Sequence, residues 1–153
     1  MGDYQILMQF DIKADPAVVR RALTTEDGIA SWWSRQTSGP RDGELRVGFP
    51  DVPQPFEFSV DDGGEPVTAG GSAPAGSRIE WRTGGFPPWW AGTTIRWDVA
   101  PNPEAAGTRL LFSHAGYDPD NPVIPIVTPA WAQIVGRLKA YAETGAAQPF
   151  FDF

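Results

Sequence analysis

Six short segments in which apolar and polar residues alternate constrain the fold of this chain more than any other feature. Alternation at period two is typical of a β-strand that buries one face and exposes the other. The first segment is 4–12, where Leu7 is an exception, and Leu111 breaks the pattern in the last. The other apolar positions are Leu45, Val47, Phe49, Phe56, Phe58, Val60, Ile79, Trp81, Ile95, Trp97, Val99, Leu110 and Phe112.

One long amphipathic segment follows these strands. A threonine and a proline, Thr128 and Pro129, predict the start of a helix, and Gly145 predicts its end. Its apolar residues fall at helical spacing on one stripe: Trp131, Ile134, Val135, Leu138, Tyr141 and Ala142. Two shorter helices are predicted directly after the first strand, capped by Asp15 before Pro16 and by Thr25.

A sheet with one apolar face must be covered, and the last helix is the one predicted element long enough to cover it. The sequence therefore predicts an α+β fold, a curved antiparallel sheet of about six or seven strands around a long C-terminal helix. Turns are predicted at 61–64 and 101–107, and 68–76 reads as a loop of small residues. With 153 residues the chain suits one domain, 1–147, followed by an aromatic tail, 148–153.

Composition excludes several classes of function. The chain has no cysteine and one histidine, which rules out disulfides, cysteine nucleophiles, and thiolate or multi-histidine metal sites. A net charge of −7 with scattered basic residues argues against nucleic acid and anionic membranes as partners. No apolar run is long enough to cross a bilayer, and Met1–Tyr4 lacks the features of a signal peptide, so we predict a cytoplasmic protein.

Three segments together resemble the START-like superfamily, also called SRPBCC, and within it the branch related to the activator of the heat-shock protein 90 ATPase. They are 22–33 (ALTTEDGIASWW), 107–117 (GTRLLFSHAGY) and 131–145 (WAQIVGRLKAYAETG). The double tryptophan and the strand that ends in His-x-Gly-aromatic are fairly specific in combination. The long loop 63–77, the segment 86–90 (FPPWW) and the acidic, aromatic tail depart from the family pattern.

The resemblance implies the helix-grip fold and an apolar cavity between sheet and helix. It implies little about chemistry, because family members bind lipids, cyclise polyketides, carry hormones or regulate chaperones, and share no catalytic residue. We therefore expect binding of a small apolar or aromatic ligand in a cavity of roughly 300–1,000 Å³. A cyclase or aromatase and a chaperone ATPase co-regulator are the alternatives, and the sequence indicates no cofactor or metal.

Register places a set of aromatic side chains on the inner face, either as ordinary core or as the lining of a pocket. Trp89 and Trp90 lie in a loop between two strands, where they could gate the cavity or bind a partner. The predicted ligand-binding residues are Phe56, Phe58, Trp81, Trp97, Phe112, His114, Trp131, Trp89 and Trp90.

His114 is the one candidate for acid–base chemistry, with Tyr117 as a potential helper. The simpler interpretation is a structural histidine bonded to the backbone near the second short helix. It is favoured because no second histidine or cysteine can join it. The carboxylates Glu57, Glu80 and Asp98 fall on polar registers and are expected in solvent.

The tail contains three phenylalanines within 148–153, and exposing them all would be unfavourable. We therefore predict that it docks rather than frays. Docking beside Trp89 and Trp90 would make it a lid, and docking on a second subunit would make a homodimer. A third alternative places it outside the sheet, over Leu111.

Overall fold

A computed structural model describes residues 2–62 and 77–152, and shows one antiparallel sheet with three helices. The elements, in chain order, are β1 (Tyr4–Ile12), α1 (Pro16–Thr24), α2 (Glu26–Trp32), β2 (Thr37–Arg41), β3 (Glu44–Val47), β4 (Phe56–Asp61), β5 (Ser77–Thr83), β6 (Thr94–Pro101), β7 (Thr108–Tyr117) and α3 (Ile124–Thr144). The strand order is β1-β7-β6-β5-β4-β3-β2. These elements confirm the predicted helix-grip α+β fold.

Alternation sets which face of each strand is buried. In β5 and β6, Ile79 pairs with Trp97 and Trp81 with Ile95, and all four side chains are buried. Their polar neighbours pair on the outer face, where Arg78 meets Asp98 and Arg96 meets Glu80. These carboxylates are thus at the surface, as expected, but ion-paired. Exposed pairs of this kind add little stability, so the buried face carries the fold.

The three helices cover the inner face of the sheet. α3 packs on β1, α1 and α2, while α1 contacts β6 and α2 contacts β2. The apolar stripe predicted for the last helix is confirmed, because Trp131, Ile134, Val135 and Leu138 are buried. At its end Gly145 adopts φ 77° and its N–H bonds to the Tyr141 carbonyl, which is the left-handed helix stop that glycine favours.

The caps of the short helices differ from each other. The Thr25 hydroxyl accepts a hydrogen bond from the Gly28 N–H at 3.0 Å, as predicted for α2. Asp15 occupies the N-cap position of α1, followed by Pro16, but its side chain makes no capping bond. The predicted role of Asp15 as a side-chain cap is therefore wrong, although the helix starts where it was expected.

Two boundaries also differ from the prediction. β2 is not among the six alternating segments, because it contains Gly39 and Pro40, residues that usually mark turns. α3 begins at Ile124, one turn before Thr128, and Pro129 lies inside it. Pro125 takes the place near the helix start that suits proline.

The small-residue loop predicted at 68–76 and part of the turn predicted at 61–64 lie outside the described residues. None of the helices within residues 2–62 and 77–152 is long and apolar enough to cross a membrane.

Candidate functional site

The inner face of the sheet carries a continuous aromatic cluster. Six of the aromatic residues predicted to bind ligand are at most 3% exposed: Phe56, Phe58, Trp81, Trp97, Phe112 and Trp131. Trp97 contacts three of the other rings edge to face, at centroid distances of 4.9–6.2 Å. Their burial confirms the predicted direction, whereas a role in ligand binding stays a prediction.

Two tryptophans at the end of α2 complete this cluster, Trp32 as its last residue and Trp33 as its C-cap. Trp33 stacks on Trp81 with an interplanar angle of 3° and a centroid distance of 5.8 Å. Trp32 is equally buried, and its indole N–H donates to the Ala22 carbonyl at 2.8 Å. The pair locks the short helices to the sheet, and Trp33 in addition lines a small apolar cavity.

That cavity is a small apolar space between the sheet and α3. Its volume is about 60 Å³, far below the predicted 300–1,000 Å³. The expectation of a large internal cavity is therefore wrong for the part of the chain that the structure describes, because tryptophan rings fill the interior. We call its lining the aromatic mouth, formed by Trp33, Phe49, Trp89, Trp90, Val127, Ala130, Trp131, Ile134 and Phe151.

The tail supplies one wall of the aromatic mouth. Phe151 forms a parallel β-bridge with Ser34, and its ring lies 4.6 Å from that of Phe49. Backbone hydrogen bonds run from Phe150 to Trp32, from Phe151 to Trp33 and from Arg35 to Phe151. The tail is thus docked, on the rim of its own chain.

This position rules out one of the other placements considered for the tail, because the tail does not cover Leu111, which is 46% exposed on the outer face of the sheet. Docking of the tail on a second subunit stays a prediction. Phe150 and Phe151 are half-buried, so the tail closes the mouth without becoming part of the deep core.

The loop between β5 and β6 forms the opposite wall. Trp90 is 3% exposed and stacks on Trp131 at 6.4 Å, whereas Trp89 is 41% exposed. The two tryptophans predicted as a gate therefore differ, because Trp90 is packed into the interior and Trp89 lies at the surface. The Trp90 carbonyl accepts hydrogen bonds from the hydroxyls of Thr83, at 2.8 Å, and Thr93, at 2.6 Å, which fix the loop to both strands.

His114 links this loop to α3 through side chains alone. The Trp131 indole N–H donates to His114 Nδ1 at 3.0 Å, and the Tyr117 hydroxyl lies 3.2 Å from the same nitrogen. Because an indole nitrogen can only donate, Nδ1 must be unprotonated. The ring proton is therefore on Nε2, which donates to Thr93 Oγ1 at 2.7 Å.

The environment keeps His114 neutral. Burial lowers the pKa of His114 to about 3, and burial likewise raises the pKa of Tyr117. Both nitrogens of the ring have hydrogen-bond partners, which are side chains of the β5–β6 loop, β7 and α3. The predicted partners, backbone groups near α2, are therefore wrong, and whether the role of His114 is structural or catalytic stays a prediction.

Within residues 2–62 and 77–152, no group of three or more His, Asp or Glu side chains could hold a metal ion. A larger groove of about 410 Å³ lies on the outer face of the sheet and is open to solvent, with Leu7, Leu111 and Arg96 among its lining residues. It is separated from the aromatic mouth by the sheet itself.

Sequence reasoning missed several residues of this site. Phe49 was placed on the apolar face of its strand and Trp33 in the family-like segment, but neither was named as a lining residue, and the contribution of α3 beyond Trp131 was not singled out. Thr83 and Thr93 carried no signal, because isolated threonines at strand ends are common. Phe151 was the exception, since the density of phenylalanine in the tail predicted its docking.

Solved structures of other proteins share this architecture. Aha1 from Colwellia psychrerythraea, determined in solution as a dimer, is 24% identical over 93% of this chain and 98% of its own, with a TM-score of 0.74. A Staphylococcus saprophyticus protein is 13% identical over 97% of this chain and 98% of its own, with a TM-score of 0.69.

DynU16, from the dynemicin biosynthetic locus, is 20% identical over 99% of this chain with a TM-score of 0.66, and the chain spans 51% of that protein. No sequence-family profile and no curated protein matches the chain. At these identities the similarity shows the fold alone, which is the helix-grip fold predicted from the sequence. Function has to be argued from the site.

Proposed function

We propose that this protein binds one small, largely aromatic molecule at the aromatic mouth, between the sheet and α3. The observation that carries the proposal is a small apolar cavity lined largely by aromatic side chains and bordered by two peripheral segments, the β5–β6 loop and the tail. Apolar pockets rich in aromatic rings are the usual form of small-molecule sites.

Binding requires the mouth to open. A dry cavity of about 150 Å³ is known to admit benzene, so about 60 Å³ is too small for any aromatic ring. Phe151 is a wall that can move, because it is half-buried and its segment is held by backbone bonds and the exposed Arg35–Asp152 ion pair. The ligand would then occupy the space that the Phe151 ring now fills.

The alternative functions have less support. An enzyme of the cyclase type would need a proton-transferring group, and His114 is buried, neutral and fully hydrogen-bonded. A chaperone-regulating role rests on the structural likeness to Aha1 alone, and the dimeric state of that protein supports self-association of this chain.

Phe151→Ala in the full-length chain tests the proposal, with Phe150→Ala as the matched control. Both remove one half-buried ring from the tail, but Phe151 lines the cavity and Phe150 does not. Burial of a phenylalanine contributes roughly 1.5–3 kcal/mol, so a half-buried ring that must be displaced weakens binding by about tenfold.

We expect Phe151→Ala to bind flat aromatic compounds such as fluorene, phenanthrene and fluorenone about tenfold more tightly than wild type, with Phe150→Ala close to wild type. Tryptophan fluorescence titration and calorimetry measure the affinities. Failure of both wild type and Phe151→Ala to bind any of the compounds would remove the proposed function.

A further inference from the structure

β1 forms one end of the sheet and pairs with β7 on one side only. Successive residues of a strand direct their N–H and C=O groups to opposite edges. On the outer edge, the Asp11 carbonyl accepts a hydrogen bond from Lys139 of α3 at 2.8 Å. The Lys13 N–H donates to Glu143 of the same helix, also at 2.8 Å. The backbone groups of odd-numbered residues in β1 therefore point away from β7.

This outer edge is open at Gln5, Leu7 and Gln9. Among residues 2–62 and 77–152, no group hydrogen-bonds to the outward N–H or C=O of these three residues. Their side chains are exposed as well, and Leu7 is 67% exposed. β1 contains neither proline nor lysine, the residues that usually protect an edge strand. An edge of this kind is a template for pairing with another strand.

The opposite end of the sheet, β2, is protected against such pairing. β2 has five residues, among them Gly39 and Pro40. Its pairing with β3 is irregular after Ser38, and the Gly39 N–H donates to the Glu26 side chain at 2.8 Å. Short length, proline, irregular pairing and a covering side chain all oppose the addition of a strand. The contrast leaves β1 as the edge that is available for pairing.

We propose that two copies of this chain pair through β1, antiparallel and with a two-fold axis at Met8, to form one continuous sheet. Met8 is the midpoint of β1, so the whole strand gains a partner. On the outer face Leu7 lies opposite Gln9 of the other copy. On the inner face Met8 meets Met8, and Phe10 meets Ile6. Met8 and Phe10 are half-buried in the single chain, and pairing gives both an apolar neighbour.

The charged residues at the two ends of β1 favour this arrangement. Asp3 precedes the strand and Lys13 follows it, and both are exposed. With the axis at Met8, Asp3 of one copy lies opposite Lys13 of the other, and symmetry repeats this pair at the other end of the interface. The one charged residue within β1, Asp11, faces the uncharged Gln5 of the other copy. A carbonyl has two lone pairs, so the Asp11 carbonyl can accept from Gln5 beside its bond to α3.

Neighbouring registers are less favourable. The open edge requires odd-numbered residues to lie opposite odd-numbered residues, so the nearest alternative axes are at Leu7 and at Gln9. An axis at Leu7 places Asp3 opposite Asp11, and like charges directly opposite each other are destabilising. An axis at Gln9 carries Asp3 beyond the end of the partner strand. Only the axis at Met8 pairs unlike charges over the full strand.

Sedimentation velocity of the full-length protein over a range of concentrations tests the pairing, with Leu7→Lys and Leu111→Lys as matched variants. Both place a lysine on the outer face, but Leu111 lies one strand in from the edge. A lysine at the edge opposes pairing, and the two new lysines would be diagonal neighbours across the axis. We expect a concentration-dependent dimer that is lost in Leu7→Lys and retained in Leu111→Lys. Equal loss in both variants, or a monomer at every concentration, overturns the inference.

Charge reversal tests the register. Asp3→Lys places like charges at both ends of the interface, so the Kd of the dimer should rise about tenfold. Adding Lys13→Asp restores unlike charges and should return the Kd to near its wild-type value. Within one chain the two residues are roughly 33 Å apart along an extended strand, so an intrachain ion pair does not explain such a rescue. A double variant as weak as Asp3→Lys alone contradicts the proposed register.

Hydrogen exchange in the wild-type protein covers the case in which a variant fails to fold. The amides of Leu7 and Gln9 should exchange more slowly at high than at low protein concentration, whereas the Met8 amide, which faces β7, should not change. Unchanged exchange at Leu7 and Gln9 overturns the inference. No residue that lines the aromatic mouth belongs to β1, so the inference and the proposed function can fail separately. A monomer that still binds aromatic compounds removes the inference alone.

Discussion

Lowering the pH from about 8 to about 5 should destabilise this protein through a single side chain, His114. In the folded protein the ring is buried among Thr93, Tyr117, Trp90 and Trp131, with no carboxylate beside it, and its pKa falls to about 3. In the unfolded chain the pKa returns to about 6.5. The unfolded state therefore binds more protons between these two values, and stability decreases as the pH falls through that window.

The size of the effect follows from the two pKa values. Between pH 8 and pH 5 the difference in proton uptake lowers the free energy of unfolding by about 2 kcal/mol, which is a large part of the stability of an average domain. The carboxylates whose pKa is lowered by pairing, Asp11, Glu143 and Asp152, lie at the surface and act mainly below this window.

Urea denaturation at a series of pH values measures the slope, and His114→Gln provides the comparison. The variant is expected to be less stable at pH 8, because it disturbs the connection between Thr93 and Trp131, but to lose about 2 kcal/mol less on the way to pH 5. The chain has one histidine, so NMR titration reports this ring without ambiguity, and it should show the proton on Nε2. A folded-state pKa near 6.5, or equal slopes for the two proteins, would refute the reasoning.

Two further substitutions test the local structure by the same denaturation assay. Thr25→Ala should lower the free energy of unfolding by about 1 kcal/mol, because it removes the side-chain cap on the Gly28 N–H. Asp15→Ala should lower it by less, because the Asp15 side chain makes no capping bond. A larger loss of stability in Asp15→Ala than in Thr25→Ala would contradict the cap assignment. Gly145→Ala should lower the free energy of unfolding by about 1 kcal/mol, because Gly145 has φ 77°, a conformation unfavourable for alanine. The added methyl group would meet no neighbouring atom, so the backbone conformation alone causes the loss. A neutral or stabilising effect would show that the helix does not end in the left-handed conformation.

The strands could be predicted from the sequence wherever buried apolar and exposed polar residues alternate clearly along the chain. β1 and β4 to β7 alternate because one face packs on the helices, and the stripe of α3 is apolar for the same reason. β2 was not predicted because Gly39 and Pro40 are residues typical of a turn. Its strand conformation depends on pairing with β3, and the local sequence pattern does not reveal that pairing.

The sequence predicts which side chains of the site point inward, but it does not predict the volume of the cavity between them. Alternation shows that Trp81, Trp97 and Phe112 point inward, but whether inward rings leave a space depends on how closely they interdigitate. Here Trp32 and Trp33 insert from α2 and fill the volume that the resemblance predicted as a cavity. The partners of His114 likewise come from three separate elements, and no spacing along the chain reveals their meeting.

NMR titration of the full-length protein with fluorenone tests the central claim most directly, because it reports the ligand, the mouth and the tail together. The account predicts saturable shifts at the Trp33, Trp90 and Trp131 indoles, together with faster hydrogen exchange at the Phe151 and Arg35 amides, whose bonds hold the tail. Shifts confined to the outer face around Leu7 and Leu111, or binding at the mouth while the tail amides stay fully protected, would contradict it.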